Sequence, residues 1–167
     1  MAVGTPADVV ARARTAGQVT LSLIGSPRHA ARTLATGVDL LVAQGYDAGA
    51  HTGTVGTLSL VPQVVDQAGA VPMIAAGGIA TGRQIAAALA LGAQGVWTGT
   101  LWLATQEHAV DKLITDQLIA AGSEDTVISR SWSGKALRML RTAWSDEWSA
   151  PRCGAHLRST ALCLRIL

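Results

Sequence analysis

The chain has little of several residue types that mark particular classes of protein. Its 167 residues include no phenylalanine and one tyrosine, and only 14% are charged, for a net charge of +2. That charge is too small to indicate nucleic acid as a partner. The two cysteines, Cys153 and Cys163, lie near the C-terminus without metal-ligand spacing. A disulfide scaffold and a zinc site are therefore not predicted, and we expect no bound metal.

Long apolar runs and a secretory leader are missing as well. No apolar stretch is long enough to span a bilayer. Thr5 and Pro6 read as the start of a helix rather than as part of a charged and then apolar leader. The sequence therefore predicts no membrane partner, and the cytoplasm is the expected location.

Short apolar runs and helix signals instead alternate along the first 122 residues. Alanine, leucine, valine and glycine dominate, and 49% of the chain is hydrophobic. Four apolar runs bounded by turn residues predict buried strands, at about 19–24, 38–43, 71–76 and 95–98. Capping residues and glycine stops predict five helices, at about 6–16, 27–36, 59–67, 82–91 and 106–121.

Such alternation is typical of parallel strands joined by right-handed crossovers. A complete (β/α)₈ barrel has eight strands and about 250 residues. We therefore predict an α/β fold: a partial TIM-type (β/α)₈ barrel with about four parallel strands, plus a C-terminal helical segment. The predicted division is a half-barrel at 1–122, helical residues at 123–151 and an irregular tail at 152–167. Two open sheet edges and an open apolar face predict a homo-oligomer, or association with a missing N-terminal barrel half.

Two glycine turns each follow a predicted strand. Gly77 and Gly78 come after the third strand, and Gly99 comes after the fourth. Since glycine has no Cβ, such turns let a ligand approach closely and present free backbone N–H groups to a phosphate. Barrels commonly bind phosphate after their last two strands. The sequence therefore predicts a phosphate-bearing cofactor here, followed by a helix with a Thr81–Gln84 capping box.

The loop from Gln44 to Gly53 carries the candidate catalytic residue. His51 stands among small residues after a barrel strand, and its ordinary pKa of about 6.5 suits proton transfer. A loop histidine that only hydrogen-bonds the backbone is the alternative. Gln44 could contact a flavin ring edge or serve a structural role. Asp47 could position the loop or cap the following turn.

Three motifs in order resemble the nitronate monooxygenase family, also called 2-nitropropane dioxygenase. They are Gln-Gly-Tyr-Asp-Ala-Gly-Ala-His-Thr-Gly at 44–53, Ala-Ala-Gly-Gly-Ile-Ala-Thr-Gly at 75–82 and Gly-Val-Trp-Thr-Gly-Thr at 95–100. The resemblance covers about residues 5–150. It implies an FMN-dependent barrel enzyme whose partners are a nitroalkane or nitronate and O₂, and whose products are a carbonyl compound and nitrite.

The resemblance also implies roles for individual residues. His51 would be the catalytic base, while Gln44 and Gly49 would contact the flavin ring or ribityl chain. The residues implied to hold the FMN phosphate are Gly78, Trp97, Thr98, Gly99 and Thr100. Asp47 stands where the family has glutamate, and Ala50 where it has glycine. If position 50 needs a positive φ, alanine is strained there by about 1 kcal/mol or more.

Two other functions compete with this one. A flavin-dependent enoyl reductase of lipid synthesis has a similar histidine loop and Gly-Gly-Ile turn, and it would differ in taking electrons from NAD(P)H. A non-catalytic remnant that self-associates is the second alternative, and it would bind no flavin.

Overall fold

The structure is a computed structural model in which residues 5–149 can be described. Contacts divide the chain into two compact units, Met1–Val110 and Asp111–Leu167. The predicted irregular tail at 152–167, with both cysteines, lies outside the described residues. The sequence-based division at residue 122 stays a prediction.

A parallel sheet forms the centre of the first unit. Its strands are β1 (Leu21–Ile24), β2 (Leu40–Gln44), β4 (Met73–Ala76) and β5 (Gly95–Trp97), side by side in that order. A two-residue strand, β3 (Ala50–His51), lies in the loop after β2. The helices are α1 (Ala7–Thr15), α2 (Pro27–Leu34), α3 (Thr57–Ala68) and α4 (Gly82–Ala90), followed by a 3₁₀ turn, Thr100–Ala104. The predicted α/β fold with four parallel strands is confirmed.

The core of this unit lies on one face of the sheet. Strand residues such as Leu41 and Met73 pack with Leu60 and Val64 of α3, and all four are buried. On β1 the burial alternates, so Ser22 and Ile24 are inside while Leu21 and Leu23 are 47% and 37% exposed. Because β1 and β5 are the outer strands, the unit has the open edges and the exposed apolar residues expected of a partial barrel.

The second unit combines helices with a hairpin. It contains α5 (Lys112–Ala120), a 3₁₀ turn (Ser123–Asp125), the antiparallel strands β6 (Thr126–Ser129) and β7 (Leu137–Leu140), and α6 (Ala143–Ser149). In the described part of the segment predicted as helical, residues 123–149, the structure has a 3₁₀ turn and a β-hairpin before α6. The Thr-Val-Ile sequence of β6 is β-branched throughout, which favours an extended strand.

Two helix starts differ from the sequence prediction. The hydroxyl of Thr105 donates to the carbonyl oxygen of Trp102, so Thr105 belongs to the preceding turn. Asp111 caps α5 instead, because its carboxylate accepts a hydrogen bond from the N–H of Leu113 at 2.8 Å. Thr5 does not cap α1, since its hydroxyl pairs with that of Ser22 at 2.7 Å. Among residues 5–149, no helix has the length and apolar character to cross a membrane.

Candidate active site

The predicted functional loops all leave the same edge of the sheet. Because the strands are parallel, their carboxyl ends meet at one edge, where α/β enzymes place their ligands. Gln44, the last residue of β2, is in register with Ala76, the last residue of β4. Ala76 is in turn in register with Trp97, the last residue of β5. The loop at residues 44–53, which carries His51 and is called the histidine loop below, therefore begins beside both glycine turns at this edge.

The turn after β4 needs glycine and is tied to α4. Gly77 and Gly78 have φ values of 103° and 69°, a region that side chains with a Cβ rarely occupy. The amide nitrogen of Gln84 donates to the carbonyl oxygen of Gly78 at 2.6 Å. The oxygen of the same amide accepts from the N–H of Thr81 at 2.9 Å. The predicted capping box is thus confirmed, and it also holds the turn in place.

Thr57, at the start of α3, connects this turn to the histidine loop. Its hydroxyl donates to the carbonyl oxygen of Gly77 at 2.9 Å, and its N–H donates to the carboxylate of Asp47 at 2.8 Å. Asp47 therefore ties its loop to the first residue of α3, whose N-cap is Gly56, and this is the loop-positioning role that was one of its two expected roles. Sequence reasoning missed Thr57. The signal was a hydroxyl residue directly after Gly56 and before an apolar helix.

The turn after β5 is open toward solvent. A Cβ built on Gly99 would meet no atom within 4 Å, while one built on Gly49 would lie 3.5 Å from the hydroxyl oxygen of Thr100. The indole N–H of Trp102 donates to the hydroxyl of Thr98 at 2.8 Å, which leaves that hydroxyl's proton to donate. Trp102 was not predicted from the sequence. Its position four residues after Thr98, across one turn, was the available signal.

Free backbone donors accompany these turns. Within residues 5–149, the N–H groups of Gly78, Gly99 and Thr100 have no hydrogen-bond acceptor. Unpaired N–H groups beside glycines without a Cβ are the donor set that a phosphate ester requires. The residues present therefore fit a phosphate group. Across the same residues, no group of three or more His, Cys, Asp or Glu side chains could hold a metal ion.

His51 lies at the end of β3 with an exposed side chain. The amide nitrogen of Gln44 donates to the backbone carbonyl oxygen of His51 at 3.2 Å. Gln44 thus holds the histidine loop against the end of β2. Its amide oxygen is the part that can face a ligand.

Ala50 has a φ of 61°, the left-handed conformation considered for it because it stands where the resembling family has glycine. We expect Ala50→Gly to raise the free energy of unfolding by about 1 kcal/mol, because glycine adopts this conformation without a Cβ clash. Urea unfolding followed by circular dichroism measures the change. In the matched control Ala35→Gly, where φ is −62°, stability should fall by about 0.5–1 kcal/mol. A loss in both variants would contradict the assigned strain.

A parallel α/β sheet whose glycine-lined loops meet at its carboxyl edge fits part of a (β/α) barrel of the kind found in TIM-type enzymes. The chain matches the nitronate monooxygenase family over residues 1–163, and it belongs to that family.

The chain is also similar to individual relatives and to solved structures. A Mycobacterium tuberculosis protein named as a monooxygenase is 56% identical over 146 residues, which cover 87% of this chain and 39% of that protein. The nitroalkane oxidase of Streptomyces ansochromogenes superposes with a TM-score of 0.80 at 37% identity, covering 87% of this chain and 45% of that one. Thermotoga maritima FabK superposes with a TM-score of 0.81 at 34% identity, with 87% and 46% covered. The chain spans 38–44% of the lengths of curated relatives that it matches.

Proposed function

We propose that this chain carries the cofactor-binding part of an FMN-dependent enzyme that oxidises nitroalkanes or nitronates with O₂ to a carbonyl compound and nitrite. The observation that carries the proposal is the meeting of the two glycine turns and the histidine loop at one sheet edge, with Gly49 facing Thr100. Membership of the nitronate monooxygenase family and the likeness to a nitroalkane oxidase support it.

In this proposal the turns after β4 and β5 hold the FMN phosphate, and together they are called the flavin cradle. The N–H groups of Gly78, Gly99 and Thr100 and the hydroxyl of Thr98 donate hydrogen bonds to its oxygens. Trp97, at the end of β5, and the loop residues Gln44 and Gly49 line the space for the ring or ribityl chain. When bound, FMN supplies the electron-accepting chemistry that protein side chains lack.

His51 is the proton acceptor in this proposal. A nitroalkane must lose a proton from the carbon that bears the nitro group before it is oxidised, and a neutral imidazole can take that proton near neutral pH. The hydrogen bond from Gln44 to the backbone carbonyl of His51 holds the base at the carboxyl edge. Positioning of this kind keeps a base within reach of its substrate.

Reconstitution with FMN tests the cofactor assignment. After the protein is incubated with FMN and free flavin is removed, we expect absorbance bands near about 370 and 450 nm. Gly99→Val should abolish them, because the added side chain fills the open space at the phosphate position without meeting protein atoms. The measurements are the amount of flavin that the protein retains and the dissociation constant for FMN.

Gly82→Val is the matched control for this experiment. Gly82 also has no atom within 4 Å of a built Cβ, but it lies at the start of α4 outside the proposed cradle. The control should bind FMN as the parent does. Absence of flavin in the parent would refute cofactor binding by this chain, and equal FMN affinity in the parent and Gly99→Val would refute the cradle.

The likeness to FabK favours a second candidate, a flavin-dependent enoyl reductase. The two candidates differ in the source of electrons. The flavin-loaded protein is mixed without oxygen with either NAD(P)H or a nitronate, and the loss of absorbance near about 450 nm is followed. Reduction by the nitronate alone supports the first proposal, whereas reduction by NAD(P)H alone supports the second.

A complete pocket needs a further partner in this proposal. The exposed Leu21 and Leu23 and the two edge strands fit either a second copy of the chain or an N-terminal barrel half. Both remain predictions, as does the cytoplasmic location. If the chain is instead a non-catalytic remnant, it should self-associate and bind no flavin.

A further inference from the structure

A cavity lies at the carboxyl end of β1, which is the outer strand at the other end of the sheet from β5 and the proposed flavin cradle. It has a volume of about 640 Å³ and is lined by Gly25, Ser26 and Thr54 from loops, and by side chains of α2. The flavin proposal uses none of these residues. The cavity therefore calls for a separate explanation.

The α2 side of this cavity is electrically positive. His29, Arg32 and Thr33 share one face of the helix, spaced at i, i+3 and i+4. Burial and the charge of Arg32 both lower the pKa of His29, which agrees with a cationic group close by. No Asp or Glu lines the cavity, and α2 contains none.

The start of α2 adds backbone donors at the same place. Ser26 caps the helix by accepting a hydrogen bond from the N–H of His29 at 3.2 Å. A helix N-terminus carries a partial positive charge that attracts anions. Across the loops, a Cβ on Gly53 would come within 2.6 Å of the Gly25 carbonyl oxygen, so bare backbone forms this wall of the cavity.

Thr33 supplies an observation that is independent of the helix end. The residue is only 2% exposed and lines the cavity. Within residues 5–149 its hydroxyl makes no hydrogen bond. The hydroxyl is not enclosed by the protein, so it opens into the cavity, where it can donate a hydrogen bond to a ligand oxygen.

We propose that this cavity binds a phosphate-type oxyanion, with Arg32 as its charged partner and Thr33 as a neutral donor. The chemistry is shared by inorganic phosphate and by the phosphate monoester of an organic ligand. The volume exceeds what one phosphate group needs, since drug-sized ligands occupy pockets of about 300–1,000 Å³. The monoester is therefore the favoured ligand.

The test is an NMR titration of the ¹⁵N-labelled full chain with inorganic phosphate and, separately, with phenyl phosphate. We expect saturable shifts of the Gly25, Ser26 and Thr54 amides with a dissociation constant of about 1 mM or tighter. Arg32→Gln should weaken binding at least about tenfold, because a charge-assisted hydrogen bond is lost. Thr33→Val, which keeps the shape of the side chain, should weaken it about threefold or more.

Arg28→Gln is the matched control, because Arg28 lies on the same helix but does not line the cavity. It should leave the affinity unchanged. Tighter binding of phenyl phosphate identifies an organic monoester, and equal affinities identify free phosphate. Absence of saturable shifts at the three amides, or equal weakening by Arg28→Gln and Arg32→Gln, would overturn the proposal. Shifts confined to Gly99 and Thr100 would overturn it too, while supporting the flavin cradle.

Discussion

Replacing Gly45 with alanine is expected to unfold much of the first unit. A Cβ at this position would overlap the hydroxyl oxygen and the Cα of Thr57, and it would lie 2.5 Å from the Thr57 nitrogen. Backbone atoms cannot rotate away as the end of a side chain can. Relief therefore requires α3 to move, although its residues Leu60 and Val64 are fully buried in the core.

We expect Gly45→Ala to lower the free energy of unfolding by at least about 3 kcal/mol, a large part of the stability of an ordinary domain. Thermal and urea unfolding of the purified chain, followed by circular dichroism, measure the loss. Gly82→Ala is the control, since a Cβ there meets nothing within 4 Å and alanine favours the helix. Unfolding midpoints in Gly45→Ala that equal those of the control would show that the histidine loop does not pack on α3 as described.

The second large effect is expected at His51 and rests on the proposed function. In the FMN-reconstituted protein, His51→Asn should lower the turnover of a neutral nitroalkane by about 10²- to 10⁴-fold, because asparagine cannot accept the proton. Flavin binding should be nearly unchanged, since the proposed phosphate donors lie after β4 and β5. Steady-state oxygen uptake gives the turnover, and the absorbance spectrum gives the flavin content.

Two controls isolate the proton-transfer step. The matching nitronate has already lost the proton, so its turnover should fall by less than about tenfold in His51→Asn. His108→Asn replaces an exposed histidine outside the candidate site and should behave like the parent. Equal turnover of the nitroalkane in parent and His51→Asn would remove His51 from the mechanism and leave the flavin cradle untouched.

Much of the first unit could be predicted from local sequence signals. Apolar runs between turn residues located all four parallel strands, with ends that differ from the structure by a few residues. The Thr81–Gln84 capping box and the glycine turn before it were also predictable, because a cap involves residues only three positions apart. The hairpin of the second unit was not predicted, since its short strands sit among polar residues and tryptophans without a clear period.

The sequence by itself determined which residues can turn, cap a helix or accept a proton. It did not determine which backbone groups the side chains of Asp47 and Gln44 bind. That choice depends on Asp47 meeting the start of α3 ten residues later, and on Gln44 meeting the backbone of His51. The contact of Thr57 with Gly77 and the cavity beside α2 arise in the same way. Local signals act over a few residues, whereas these contacts exist only once parallel strands place the ends of distant segments at one edge.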